Sequence, residues 1–353
     1  MVSVLIVTWN SAPYLERCFA SIDRQEYRDL EVIVVDNASS DGTRTILRRQ
    51  EPSRRVLYNE TNVGFAAAQN QAMGAARGEW LLCVNPDVLM AGDFLLRMTE
   101  AGAAHPGAGA LCGKLLRWTF EDGRQTQTID STGIYFTRNM RHLDRGAEEM
   151  DIGQYDRAQW VFGVTGAAAM YRRSLVEAVS VEGQFFDEDF FAYREDADLA
   201  WRAQLMGWKC LYVPSAVAWH VRRVTPQRRE QLPLVINWHS VKNRFVMRGK
   251  NASGWLCWQL FWPVAWRDLM VFGYAVLRDW RLLSAFAYPV RNFGNIRRKR
   301  KIIQASRRVP DRELIWWFND TPRAIDAGGL TTSLPPGTSS RPDGRQVRSG
   351  DRS

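Results

Sequence analysis

Three acidic groupings and one histidine carry the residues that could do chemistry. "EWLLCVNPDVLM" (79 to 90) breaks an apolar run with Asn85-Pro86-Asp87, "VIVVDNASSDGT" ends a second run on Asp36, "REDADLAWR" (194 to 202) gathers Glu195, Asp196 and Asp198, and "CLYVPSAVAWH" closes on His220. Carboxylates collected in one cleft without basic neighbours repel one another, so such a cleft usually holds a hard divalent cation. An ion of that kind also suits a ligand carrying a diphosphate. A carboxylate kept ionised in the first turn of a helix, where the dipole stabilises negative charge, can instead accept a proton from a hydroxyl.

Each of these residues also has a plainer reading. Glu195, Asp196 and Asp198 could simply cap a helix, Asp36 sits among turn formers that bond their own backbone, and His220 could be a solvated strand end as well as a ligand.

The elements around them decide where they lie. "VSVLIVTW", "EVIVVD", "RVLYNE" and "EWLLCVNPD" predict buried strands, and "SAPYLERCFASIDRQ" (11 to 25), "TRTILRRQ" and "GFAAAQNQAMGAA" (64 to 76) predict the helices between them. Unbroken apolar strands alternating with helices imply an α/β fold whose parallel sheet is covered on both faces. Ligands of such sheets bind beyond the carboxyl ends of the strands. Thr8, Asn10, Asp36, Asn62 and Asp87 all fall there. From about 110 to 160 the pattern weakens and predicts hairpins and loops; a strand, a glycine-containing turn and a helix resume at "QWVFGVTGAAAMYRRSLVEAV".

Charge divides the chain. Residues 221–353 hold 25 Lys+Arg against 9 Asp+Glu, whereas residues 1–220 hold 22 against 29. The basic half points to an anionic partner, a membrane surface or nucleic acid. Its segment 251–290 is rich in Trp, Phe and Leu but interrupted by Arg267, Asp268, Arg278, Asp279 and Arg281, and its longest uncharged run is shorter than the roughly 20 residues of a spanning helix. Interfacial helices are expected there, followed by the polybasic "RRKRK" (297 to 301); a helical subdomain with its tryptophans in a core is the alternative. Residues 327–353 read as a disordered tail. The five scattered cysteines predict reduced, buried thiols in a cytosolic setting, and no signal peptide is expected at the N-terminus.

Taken in order, "VSVLIVTWNSAPYLERCFASI", "VIVVDNASSDGT", "NETNVGFAAAQNQAM", "VNPDV", "VTGAAAMYRR" and "FFDEDFFAYREDADLAWRAQLMGW" resemble family 2 glycosyltransferases with the GT-A fold, nearest to the bacterial rhamnosyltransferase-like branch. The resemblance spans about residues 2 to 222. It implies a catalytic domain over 1–222, a helical extension over 223–326 and the tail beyond. It further implies that Thr8, Asn10 and Asp36 contact the nucleoside, that Asn62, Gly64 and Asn70 form a donor-binding motif, and that Asn85 and Glu195 contact the donor. A glycine common two residues after the second asparagine is Ala72 here, and the first acid of the Asp-x-Asp element is Asn85. Asp87, with His220, would hold Mg2+ or Mn2+, and Asp196 would be the catalytic base.

The implied reaction is inverting transfer from a nucleotide-diphosphate sugar, rhamnose first, with uridine diphosphate sugars behind it. The implied acceptor is a saccharide or lipid-linked saccharide, reached at the cytoplasmic face of the cell membrane during polysaccharide biosynthesis. An oxidoreductase would need Gly-x-Gly-x-x-Gly after a strand, and "GAGALCG" (107 to 113) places its third glycine one residue late. A sugar nucleotidyltransferase would need a glycine-rich and basic triphosphate loop that "TWNSAPYL" lacks. A nucleic-acid-binding role for the basic end is disfavoured by its interleaved tryptophans. Oligomeric state is left open.

Overall fold

The computed structural model describes residues 1–51, 53–119, 123–222 and 234–329. Most of the expected tail, 330–353, and the start of the expected extension, 223–233, lie outside these residues.

The first half alternates β1 (Val2–Thr8), α1 (Ala12–Asp23), β2 (Leu30–Asp36), α2 (Thr43–Gln50), β3 (Arg55–Tyr58), α3 (Phe65–Ala75) and β4 (Trp80–Val84). The strands pair in parallel in the order β3-β2-β1-β4. β1 shows why its sequence is an unbroken apolar run: Val2, Val4 and Ile6 pack on one side with Leu15, Phe19 and Ile22 of α1, while Leu5 and Val7 pack on the other with Ala68 and Ala72 of α3. Successive side chains point to opposite faces, so a strand covered on both sides must be apolar throughout.

Beyond β4 the sheet becomes mixed. β5 (Val88–Met90), α4 (Phe94–Ala104), β6 (Ala108–Trp118), β7 (Gln125–Ser131), β8 (Ile134–Phe136), β9 (His142–Asp144), β10 (Gln159–Val161) and β11 (Ala168–Arg172) follow, then α5 (Arg173–Val179), α6 (Glu195–Leu205) and β12 (Lys209–His220). The sheet runs on from β4 through antiparallel β11 to β6, to β12 parallel to β6, and to β10. The expectation of hairpins and loops over 110–160 holds for β6–β7 and β8–β9 but misses β6, a long central strand. Its two glycines and Lys114 hid it. A Cβ at Gly113 would lie 2.2 Å from the Ala216 oxygen and 2.7 Å from Phe94, so close packing demands the glycine. Lys114 turns its ammonium out of the sheet to Asp151 and Asp156.

The C-terminal third is helical: α7 (Leu234–Asn251), α8 (Gly254–Gln259), α9 (Phe261–Arg278), α10 (Leu283–Arg291), α11 (Phe293–Ala305) and α12 (Asp311–Leu314), before a last short strand, β13 (Ile325–Asp326), pairs with β10. A third core joins this region to the rest. Val246, Met247, Leu256, Ile303 and Leu314 pack with Ala197, Ala200 and Trp201 on the back of α6. No helix among the described residues is long and apolar enough to cross a membrane. Residues 327–329 form a short turn whose Ala327 amide donates to Ala158, so the first residues of the expected tail are bonded to the fold. Cys18, Cys83, Cys112 and Cys210 are buried and free as expected, while Cys257 is exposed.

Candidate active site

Strand register brings Asp87 to His220. β4 ends at Val84, the Asn85-Pro86-Asp87 turn closes with the Val88 amide donating to the Asn85 oxygen at 3.1 Å, and β5 then pairs antiparallel with β12 so that Val88 faces His220. The Asp87 oxygen accepts from the Val221 amide (3.1 Å) and from Trp118 Nε1 (3.2 Å). Both bonds involve backbone oxygen, leaving the carboxylate to other work. Its Oδ1 is buried without a hydrogen-bond partner among the described residues, 3.5 Å from His220 Nε2.

His220 is held from behind by Asp130, whose Oδ2 lies 2.8 Å from Nδ1. Burial alone would lower the His220 pKa, but Asp87 and Asp130 outweigh it and push it up to about 10. Asp130 is buried too, which favours its neutral form; His220, Arg222 and Arg117 overcome this and hold it down at about 2. A carboxylate behind one ring nitrogen aims the other outward, as around metal-ligating histidines. Asp87 Oδ1 and His220 Nε2 therefore fit a divalent cation, which would take the place of the imidazolium proton. No group of three His, Cys, Asp or Glu side chains that could hold a metal occurs among the described residues. The remaining ligands would have to come from solvent or substrate.

The two residues line a cleft of about 670 Å³ together with Asn85, Glu195, Asp196, Thr165 and Gly166. Glu195 and Asp196 arrive on the first turn of α6, after a run of left-handed residues, Phe191, Tyr193 and Arg194, with φ of 62°, 68° and 73°. Asp196 Oδ2 accepts from the Gly166 amide (3.1 Å) and Oδ1 from the Ala197 amide (2.7 Å). Burial raises both acids, and the charge of Asp196 raises Glu195 further, while the two amides favour ionised Asp196. Glu195 Oε2 has no hydrogen-bond partner among the described residues. The proton shared by the pair thus belongs on Glu195, and Asp196 carries the charge.

Polar bonds from the C-terminal helices hold this acidic turn. Asn243 Nδ2 of α7 donates to the oxygens of Phe190, Ala192 and Tyr193 at 3.0, 2.8 and 2.7 Å. Asp187 is buried between Lys250 and Lys299, which hold its carboxyl well below the usual range although burial opposes them. Lys250 also lies 3.1 Å from Asp198, which pairs with Arg202 at 2.9 Å. Asp198 is therefore a buried structural acid and does not join the cleft. Removing one partner of a buried charge pair leaves the other uncompensated, so Lys250→Met should cost about 3–5 kcal/mol. Chemical denaturation of variant and parent checks this.

The other residues expected at the site are placed less simply. Thr8 donates to Asp36 Oδ1 at 3.3 Å, and Arg44 Nε binds Asp36 Oδ2 at 2.7 Å, so Asp36 is buried and engaged. Asn10 caps the next loop by accepting from the Ser40 amide at 2.9 Å. Asn62 Oδ1 accepts from Asn37 (2.8 Å) and the Gly64 amide (2.9 Å). Gly64 has φ +90°, and a Cβ there would meet Phe191 at 2.5 Å, so the glycine lets α3 approach the acidic turn. Asn70 spends its amide on Phe186 and Glu188, away from the cleft.

Nor is the cleft free of basic neighbours, as the sequence reading supposed. Arg117, Arg141, Arg194, Arg222 and His142 all line it. Arg222 pairs with Asp130 (3.1 Å) and Asp144, and Arg194 Nη1 lies 3.1 Å from His142 Nδ1. Burial lowers the pKa of His142 first, and Arg194 adds to the effect, so this histidine is neutral. Asp130, Arg222 and His142 went unrecognised because they lie on the largely polar strand β7, just beyond the end of β12 and on the three-residue strand β9. β7, "QTQTIDS", has Ile129 as its one apolar residue, so no alternation marks it as a strand.

Comparison with known proteins follows the same lines. The family model described as "Glycosyl transferase family 2" matches residues 3–180, and that described as "Glycosyl transferase family group 2" matches residues 93–293. The chain is 29% identical over 292 residues to an N-acetylglucosaminyl-diphospho-decaprenol L-rhamnosyltransferase of Mycobacterium tuberculosis, covering 74% of this chain and 87% of that one. It is 24% identical to a poly-beta-1,6-N-acetyl-D-glucosamine synthase of Staphylococcus epidermidis over 62% of this chain and 49% of the other. Among solved structures it is similar to GalNAc-T7 with UDP, GalNAc and Mn2+ (TM-score 0.55, 14% identity, 71% of this chain and 48% of that one). It is also similar to S. aureus TarS (TM-score 0.52, 17% identity, 86% and 55%). The chain spans about half the length of these two structures, and at such identities they speak for the fold.

Proposed function

This chain belongs to the family 2 glycosyltransferases, in their rhamnosyltransferase-like branch, and on that footing we propose that it moves a sugar, L-rhamnose first, from a nucleotide diphosphate to a lipid-linked saccharide with inversion. The observation that carries this is the meeting in one cleft of a buried Asp87–His220 pair with a separate, amide-held carboxylate, Asp196. Such a division suits a reaction that needs charge neutralised at the leaving group and a proton removed from the attacking hydroxyl. The relative from Mycobacterium tuberculosis, named for rhamnose and for a diphospho-decaprenol carrier, supports the donor and the acceptor class.

Asp196 takes the proton of the acceptor hydroxyl, which attacks the anomeric carbon from the face opposite the departing nucleotide diphosphate. Protonated Glu195 beside it keeps a second negative charge out of the turn and can donate to a donor or acceptor oxygen. Asn85, on the cleft wall where β4 ends, is assigned to the donor sugar or ribose. Asp87 and His220 would hold Mg2+ or Mn2+, which when bound neutralises charge developing on the diphosphate.

The nucleoside would lie beyond Phe65, toward Thr8, Asn10, Asn62 and Gly64. Asp36 contacts a base there only by exchanging its bond from Arg44, a side chain 37% exposed and able to swing away. Asn70 supports the donor region at one remove, through α3. A panel of sugar nucleotides with a polyprenyl-diphosphate N-acetylglucosamine acceptor, with Mg2+ or Mn2+ and release of nucleoside diphosphate as readout, tests the assignment. Turnover with deoxythymidine diphosphate rhamnose is expected; turnover only with a uridine diphosphate sugar overturns the donor, and no transfer with any overturns the function.

A further inference from the structure

The segment 251–290 separates two roles that its sequence left as alternatives. Its inner side is an ordinary core: Leu256 and Leu260 are buried with residues of α7 and α11, and Ala275 and Ala285 are buried as well. Its tryptophans, however, are not in that core. Trp258, Trp262, Trp266 and Trp280 are 77%, 80%, 66% and 73% exposed, and Leu277 is 83% exposed. On α9, Trp262, Trp266, Leu269, Met270 and Leu277 share one side of the helix at the spacing of successive turns, while Val264, Asp268 and Ala275 face inward. Scattered exposed apolar residues need no explanation, but a contiguous stripe of this size marks an interaction surface.

We propose that the outer face of α8, α9 and the turn after it seats this protein on an anionic lipid bilayer. Three observations select a bilayer over other occupants. Exposed aromatics are flanked by exposed Arg278, Arg291, Arg297 and Lys301, the pairing of headgroup-level indoles with phosphate-seeking cations that interfacial helices use. Residues 234–329 hold 17 Lys+Arg against 6 Asp+Glu, a charge that attracts an anionic surface and repels a second copy of the same face. No helix among the described residues can span, so the face lies on the surface without crossing it.

The face is tied to the chemistry. Helix α7 contributes Ile236, Asn237 and Ser240 to the cleft wall and, through Trp238 Nε1 donating to Ser284 Oγ at 2.8 Å, is fastened to α10 beside the aromatic stripe. Docking therefore fixes the orientation of the cleft relative to the lipid surface. This rests on the reading of the acceptor as lipid-linked, but its test is separate from that of the activity.

The test is flotation of the full chain with vesicles of phosphatidylcholine alone or with phosphatidylglycerol, for the parent and for W262E/W266E, alongside nucleoside diphosphate release with a short water-soluble acceptor. The parent should float with the anionic vesicles and release them as salt rises. The double variant should lose at least tenfold in bound fraction while turning over the soluble acceptor like the parent, since neither tryptophan lines the cleft. A parent that stays at the bottom with anionic vesicles, or a variant that floats equally well, overturns the proposal. So does sedimentation of the lipid-free parent as a dimer that W262E/W266E dissolves, which would assign the face to a second copy. Failure of soluble turnover in the parent, with flotation intact, would sink the glycosyltransfer reading and leave the docking face standing.

Discussion

Asp196→Asn should bind the sugar nucleotide as the parent does and transfer it about 10²–10⁴-fold more slowly, the usual worth of a general base. The substitution preserves the size of the side chain. An asparagine oxygen can still accept from the Gly166 amide, 3.1 Å away, but its NH2 then faces the Ala197 amide, so the turn keeps one of its two bonds while losing the group that takes the proton, and unchanged donor binding checks that the turn has held. The pH profile adds a second readout. Activity requires ionised Asp196, so kcat/KM in the parent rises with pH through the pKa of that carboxyl. Burial first, with Asp144 adding, sets it above the ordinary aspartate value, against the two amides. The acidic limb should therefore fall above about pH 4, where a free aspartate would titrate, and the residual activity of the variant should lack it. A variant with parental turnover, or one with the same limb, removes Asp196 from the role of base.

How such a carboxylate could be read from "REDADLAWR" at all is instructive. Acids in a first helical turn are written in the chain, and so is the parallel half of the sheet, because a strand covered on both faces can only be apolar and its polar neighbours can only lie at its ends. Asp87, Asp196 and His220 were legible for that reason. Asp198 was not separable from them: its neighbours Lys250 and Asn251 come from a helix some fifty residues away, and only tertiary packing shows that it faces inward.

Likewise β6 was hidden because close approach to Ala216 demanded Gly113, which in sequence resembles a strand breaker. Asp130 was hidden because its meaning depends on pairing with His220, ninety residues on. Local pattern reports which way a side chain points within its own element. It is silent about which distant charge stands opposite, and the basic residues of the cleft are all of that second kind.

The same distinction bears on Asp87→Ala, the substitution with the other large expected effect. Because the backbone oxygen of Asp87 keeps its bonds from Val221 and Trp118, and Asp130 still holds His220 from behind, the variant should still fold. In the parent, Asp87 Oδ1 accepts no hydrogen bond among the described residues but lies 3.5 Å from His220 Nε2, and against burial the Asp87 charge is the largest of the causes that raise the His220 pKa. Removing that partner takes away stability which the charged pair contributes below the raised pKa of His220, so without added metal the variant should melt somewhat lower than the parent at neutral pH. With Mn2+ the two should diverge further: a ligand that binds only the folded chain raises its Tm, and that rise should appear in the parent and vanish in the variant. Activity should track it, the parent with chelator and the variant with or without it all falling about 10²–10³-fold, the scale of losing one transition-state charge partner. Equal Mn2+ stabilisation of both proteins would place the cation elsewhere, and parental activity in chelator would remove it from the reaction. The two substitutions also check each other, since Asp196→Asn leaves Asp87 and His220 untouched and must keep the Mn2+ rise in Tm that Asp87→Ala loses.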